Sequence, residues 1–134
     1  MTRRTAGLWI AGAVLADAVL RLRFLNVPLN VDEAGYGQVA RLWARGFALY
    51  GDTAWVDRPQ GLVGLYRAAL AFGDEWAIRM LALKAGIALV IAVAVIAWTL
   101  AGPRAGVFAA WLMAIVGPAP HIEGFTANGE LLGG

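Results

Sequence analysis

The run from Ala85 to Pro103 carries no charged side chain, and after Arg104 a second uncharged run extends from Ala105 to Pro120. Long apolar runs of this kind restrict the backbone to helix, because a helix satisfies its own N–H and C=O groups without water. Ala101-Gly102-Pro103-Arg104 between them is a tight turn, so the two runs read as consecutive helices at 76–101 and 104–122. The composition agrees, with 60% hydrophobic and 15% charged residues and a mean hydropathy of +0.67. A soluble domain is roughly half apolar and about a quarter charged, so this is membrane composition. A net charge of +2 with scattered arginines supplies no basic patch for nucleic acid. The lack of cysteine excludes a disulfide framework and thiolate chemistry.

The N-terminal apolar segment has two readings. A signal peptide would use Arg3 and Arg4, the apolar stretch Leu8 to Ala16 and the small-x-small site Ala16-Asp17-Ala18. A membrane helix over 5–25 would instead carry Asp17 and Arg21 on one face, four residues apart in the favourable acid-before-base order. A lone acid in a span costs roughly 2.5–3.5 kcal/mol, which a neighbouring arginine offsets in part. The later spans favour the helix, with Asp17 as a structural pair.

Pro28 closes that helix, and Asn30 followed by Glu33 is a capping-box start for a helix near 31–46. Its residues Tyr36, Val39, Ala40, Trp43 and Phe47 recur at helical spacing, while Arg41 and Arg45 on the other side suit lipid headgroups. After a loop, Pro59 opens a second short helix near 60–72, with Leu62, Leu65, Tyr66, Ala69 and Leu70 on one face. Both are too short and too charged to span, so they read as amphipathic helices at the membrane surface. The expected fold is therefore all-α: transmembrane helices with two juxtamembrane amphipathic helices in a large first external loop, 26–75. Residues 123–134 form a second external loop with room for the start of a fourth span. Glu130-Leu131-Leu132-Gly133-Gly134 stops as an apolar run begins, which reads as the end of a fragment. With the N-terminus and the Arg104 turn cytoplasmic, Asp32, Asp57 and Glu130 face one outer compartment.

The ordered set Arg21-Leu-Arg23, Asp32-Glu33-Ala-Gly-Tyr36, Ala40-Arg41-Leu-Trp-Ala-Arg45-Gly46-Phe-Ala-Leu-Tyr50, Asp57-Arg58-Pro59, Phe72-Gly73 and Trp76-Ala-Ile-Arg79 resembles a known family. It is similar to the N-terminal part of C-type fold, polyprenyl-phosphate-sugar-dependent glycosyltransferases, the protein O-mannosyltransferase-like and aminoarabinose transferase-like enzymes. The resemblance runs from about Leu20 to Leu132. It implies a site at the external face of a bacterial plasma membrane, further helices, and a hexosyl or pentosyl transferase that is inactive as this piece alone. It also implies an acidic site residue at Asp32, an acid toward a divalent metal ion at Asp57, a base toward the lipid phosphate at Arg58, and an acid of the second external loop at Glu130. Many relatives carry a second proline where Gln60 stands here.

The residues themselves fit such chemistry. Sugar transfer to a hydroxyl needs a carboxylate to take the acceptor proton and positive charge for the departing phosphate. Asp32 is the candidate base, and Arg58 has the planar fork that matches phosphate oxygens. Arg58, Glu33 and Glu130 are assigned to substrate and Asp57 to metal, the partners being a lipid-linked sugar, membrane lipids and a hydroxyl acceptor. Blander roles compete: acids in a first helical turn are favoured by the dipole, and Glu33 suits a cap. His121 lacks metal-ligand spacing, and the tryptophans suit membrane interfaces. The rival class is a non-catalytic polytopic membrane protein such as a transporter segment, with Asp17 and Asp32 on an ion path. A third is a small membrane-anchored interaction module.

Overall fold

The computed structural model describes residues 1–119 and 126–127. Among the described residues it is all-helical: α1 is Arg3–Leu22, α2 Val31–Ala44, α3 Gln60–Leu70, α4 Glu75–Ala101 and α5 Pro103–Val116. The described residues divide into two compact units, one of residues 1–24 and 83–119, the other of 25–82 with 126–127. Among the described residues two helices, α1 and α4, are long and apolar enough to cross a membrane.

In the first unit, α1 packs on α5 beside the later turns of α4. Thr2 caps α1, its hydroxyl accepting the Thr5 N–H at 3.2 Å. The core between the helices is made of small side chains, Ala13, Val90, Ala94, Ala110 and Ala114. The large ones point outward: Leu15 and Val19 on α1, Val95 and Ile96 on α4, Phe108 and Ile115 on α5 are exposed. Small residues let backbones approach closely. A Cβ added at Gly106 would stand 2.9 Å from the Ala94 carbonyl oxygen and 2.9 Å from Trp98 Cβ. Asp17 and Arg21 are buried together, with Arg21 Nε donating to both carboxylate oxygens at 3.0 Å. The acid-before-base spacing thus produces the pair it predicts, and Gly86 leaves the room that the guanidinium occupies. Helix α5 stops at Val116, short of the expected 122. Gly117 closes it by donating to the Met113 carbonyl, and Pro118 has no N–H to continue the ladder. Its 14 residues rise about 21 Å, less than a hydrocarbon core of roughly 30 Å.

In the second unit, the apolar stripes of α2 and α3 close on each other. Tyr36 and Ala40 meet Leu62, Val63 and Tyr66, with Ile78 and Ala82 from the first turns of α4 completing the core. This mutual burial differs from the expectation of two stripes laid on a surface. Phe47 and Leu65, read as part of those stripes, are instead exposed. Helix α2 ends in a Schellman turn: Gly46, at φ 97°, donates to Trp43 O, and Phe47 donates back to Leu42 O. Pro59 stands at the N-cap of α3, one position before the first helical residue, Gln60.

The close α4–α5 approach gives a direct test. Gly106→Ala should destabilise the protein by about 1–3 kcal/mol, because an added methyl meets backbone on the facing helix. Gly7→Ala, at a helical position with nothing within 4 Å, should be neutral or stabilising by up to about 1 kcal/mol. Thermal unfolding of the detergent-solubilised chain, followed by circular dichroism, measures both.

Candidate functional site

The start of α2 sets the direction of every group that follows. Asn30 caps it: its side-chain oxygen accepts the Glu33 N–H at 2.8 Å, and Glu33 returns a carboxylate oxygen to the Asn30 N–H at 3.2 Å. This capping box is the one the Asn30/Glu33 spacing predicts, and it turns Glu33 inward. Asp32, one residue earlier and therefore about 100° round the helix, is exposed.

Glu33 is wholly buried, and its carboxylate is the centre of a network. Arg79 Nη1 lies 2.9 Å from one carboxylate oxygen and 2.8 Å from the other. The Ala127 N–H donates to the same group at 2.8 Å. Arg79 also donates to the Pro28 carbonyl at 2.6 Å and to the Val27 carbonyl at 3.2 Å. The Tyr66 hydroxyl donates to the Ala127 carbonyl. One buried ion pair therefore ties the turn before α2, the head of α2, α3, the first turns of α4 and the 126–127 segment. Burial, followed by the nearby Glu33 charge, pushes the Tyr66 hydroxyl well above the ordinary tyrosine range, so it stays a donor.

The outward face carries the candidate chemistry. Asp32, Tyr36, Trp55, Asp57 and Arg58 are among the residues lining a cavity of about 290 Å³ between α2 and the 55–58 loop. Arg58 Nε donates to the Tyr36 hydroxyl at 2.9 Å, which fixes the guanidinium against α2. Its Nη1 stands 3.7 Å from Asp57 in a loose, solvent-exposed pair. The loop is held by Tyr50, whose hydroxyl donates to the Arg58 carbonyl at 2.9 Å. Tyr50 is at φ 65°, a left-handed conformation that costs energy for a non-glycine residue. The Tyr36 ring packs edge-on against Tyr66, 5.7 Å between centroids at 84°, linking the groove to the buried network behind it.

Asp32, Asp57 and Arg58 thus meet in one groove, whereas Glu33, assigned to substrate from the sequence, turns away from it and is fully engaged by its buried partners. Glu130 lies outside the described residues. Tyr36, Tyr50 and Arg79 belong to the ordered motif set but were given no site role from the sequence, although an arginine near the head of an apolar helix signals that a carboxylate must be close. Among the described residues no three His, Cys, Asp or Glu side chains come together as a cation site. Chemically, the groove offers a solvent-exposed carboxylate able to take a proton and a tethered guanidinium able to hold an anionic oxygen. Comparison with protein-family models, curated proteins and solved structures finds no match to the chain.

Two outcomes test the network. Glu33→Ala should cost about 3–5 kcal/mol, because it strands a buried guanidinium. Glu33→Met with Arg79→Met should recover only part of that loss, because it removes both charges but still leaves the Asn30 and Ala127 N–H groups and the Val27 and Pro28 carbonyls without these partners. Denaturant unfolding of the two variants compares them. The raised Tyr66 pKa means that the native state keeps its proton where the unfolded chain releases it, from about pH 10 upward. This contribution is complete below pH 10 and is lost as pH rises further. Spectrophotometric titration should show one tyrosine ionising only with unfolding.

Proposed function

We propose that the chain is the N-terminal membrane part of a glycosyltransferase that moves a sugar from a polyprenyl-phosphate donor to an acceptor hydroxyl at the external membrane face. The observation that carries the reading is the convergence of Asp32, Asp57 and Arg58 on one groove, with Arg58 tethered by Tyr36. It is supported by two helices long and apolar enough to cross a membrane, and by large side chains facing outward around a small-residue core. In this mechanism Asp32 accepts the proton of the acceptor hydroxyl as its oxygen attacks the anomeric carbon. The bond from that carbon to the phosphate oxygen breaks on the opposite face, inverting the centre. Arg58 takes up the charge on the departing lipid phosphate, and Asp57 orients the guanidinium.

The bacterial plasma membrane and its outer face belong to this proposal. The rival reading, a non-catalytic membrane protein with an ion path, draws on the buried Asp17–Arg21 pair within α1. In the longer protein of which this chain is proposed to be a part, Asp32→Asn should lower transfer from a polyprenyl-phosphate sugar by about 10²–10⁴-fold. Membrane insertion and helicity should be unchanged. Undiminished transfer removes Asp32 from the chemistry, and labelling of single cysteines at positions 32 and 57 from opposite sides of the membrane would end the proposal.

A further inference from the structure

A second groove lies on the same unit, between the C-terminal halves of α2 and α3. Arg41 and Arg45 of α2, Arg67 of α3 and Asp74 before α4 line a cavity of about 440 Å³ with Ala40 and Ala44 among its walls. Three arginines and one aspartate stand among its lining residues, a formal surplus of two positive charges. None of the three arginines belongs to an ion pair among the described residues. Arg41 and Arg45 are four apart and share a helix face, a like-charge arrangement that repels unless something negative sits against it. Each arginine near the end of its own helix suits that helix's dipole. The dipole does not explain why arginines from two helices converge on one cavity. Arg67 is moreover held in place, its guanidinium stacked 4.6 Å from the centre of the Trp43 ring.

The surroundings identify the kind of anion. The groove's last lining residue, Asp74, immediately precedes α4, one of the helices long and apolar enough to cross a membrane. Beside it Phe72 is 84% exposed and Trp76 55% exposed. Aromatic residues exposed next to a cationic cleft, at the point where an apolar helix begins, match the headgroup layer of a bilayer. We propose that this groove binds the phosphate of an anionic glycerophospholipid headgroup, with Arg41 and Arg45 on the phosphate oxygens, the stacked Arg67 closing the third side, and Phe72 and Trp76 against the acyl region. The site is separate from the Asp32 groove and does not depend on glycosyl transfer.

The full chain, reconstituted in phosphatidylcholine nanodiscs doped with phosphatidylglycerol, tests it by native mass spectrometry of the lipids retained on release. Phosphatidylglycerol should be enriched over its share of the disc. Each arginine at an anionic surface contributes about fivefold, so R41Q combined with R45Q should lower that enrichment by up to roughly thirtyfold. Arg3→Gln with Arg4→Gln should leave it unchanged. In the unaltered chain, added salt should weaken phosphatidylglycerol retention and spare phosphatidylcholine, a readout that needs no variant to fold. Enrichment that survives R41Q/R45Q, or that ignores salt, overturns the proposal. Displacement of the lipid by inorganic phosphate at matched concentration overturns the lipid as the source of the phosphate.

Discussion

The buried pair of Glu33 and Arg79 is the interaction on which the second unit depends. Two charges out of water are costly, and only full hydrogen bonding makes them tolerable. Here the carboxylate receives Arg79, the Asn30 N–H and the Ala127 N–H, while Arg79 also reaches the Val27 and Pro28 carbonyls. Such a network has one low-energy arrangement, because each bond lost leaves a buried polar group without compensation. It therefore sets the direction of α2 as well as its stability. With Glu33 held inward, its neighbour Asp32 has no choice but to face the solvent. The groove in front and the ion pair behind are two consequences of one capped helix start.

The first unit is built on a different principle. Its fully buried core of alanines and one valine contributes little apolar area per residue, Ile10, Trp111 and Met113 pack against it only in part, and many of its large side chains point away from the interior. In water this would be a poor way to hold helices together. In lipid the outward groups lose nothing, and close backbone approach at positions such as Gly106 supplies the packing. The Asp17–Arg21 pair fits the same economy: one helix carries both charges, so they neutralise each other locally wherever that helix goes.

What was legible in the amino-acid sequence follows from distance along the chain. The helical class, the apolar run of α4, the Asp17–Arg21 pair and the Asn30–Glu33 capping box all rest on residues no more than four apart or on one uninterrupted run. The Glu33–Arg79 pair spans 46 positions and the Arg58–Tyr36 bond 22, and no periodicity joins them. Glu33 shows how this misleads. Its spacing from Asn30 marks it as a cap and its place beside Asp32 as a second site residue, and only the fold shows that its carboxylate is buried against Arg79. The stripes of α2 and α3 were likewise readable as amphipathic, but whether an apolar stripe meets lipid or another stripe is not encoded in its spacing.

The sequence by itself determined that this chain is helical, where its long apolar runs lie, and where a helix begins with a cap. These are local consequences of backbone hydrogen bonding and side-chain period. Tertiary structure alone decided which carboxylate is buried and which exposed, that Asp32, Asp57 and Arg58 share a groove, and that arginines of two helices line another. The physical reason is that burial and charge proximity are properties of folded space, where Arg79 and Tyr36 act on residues far from them in the chain.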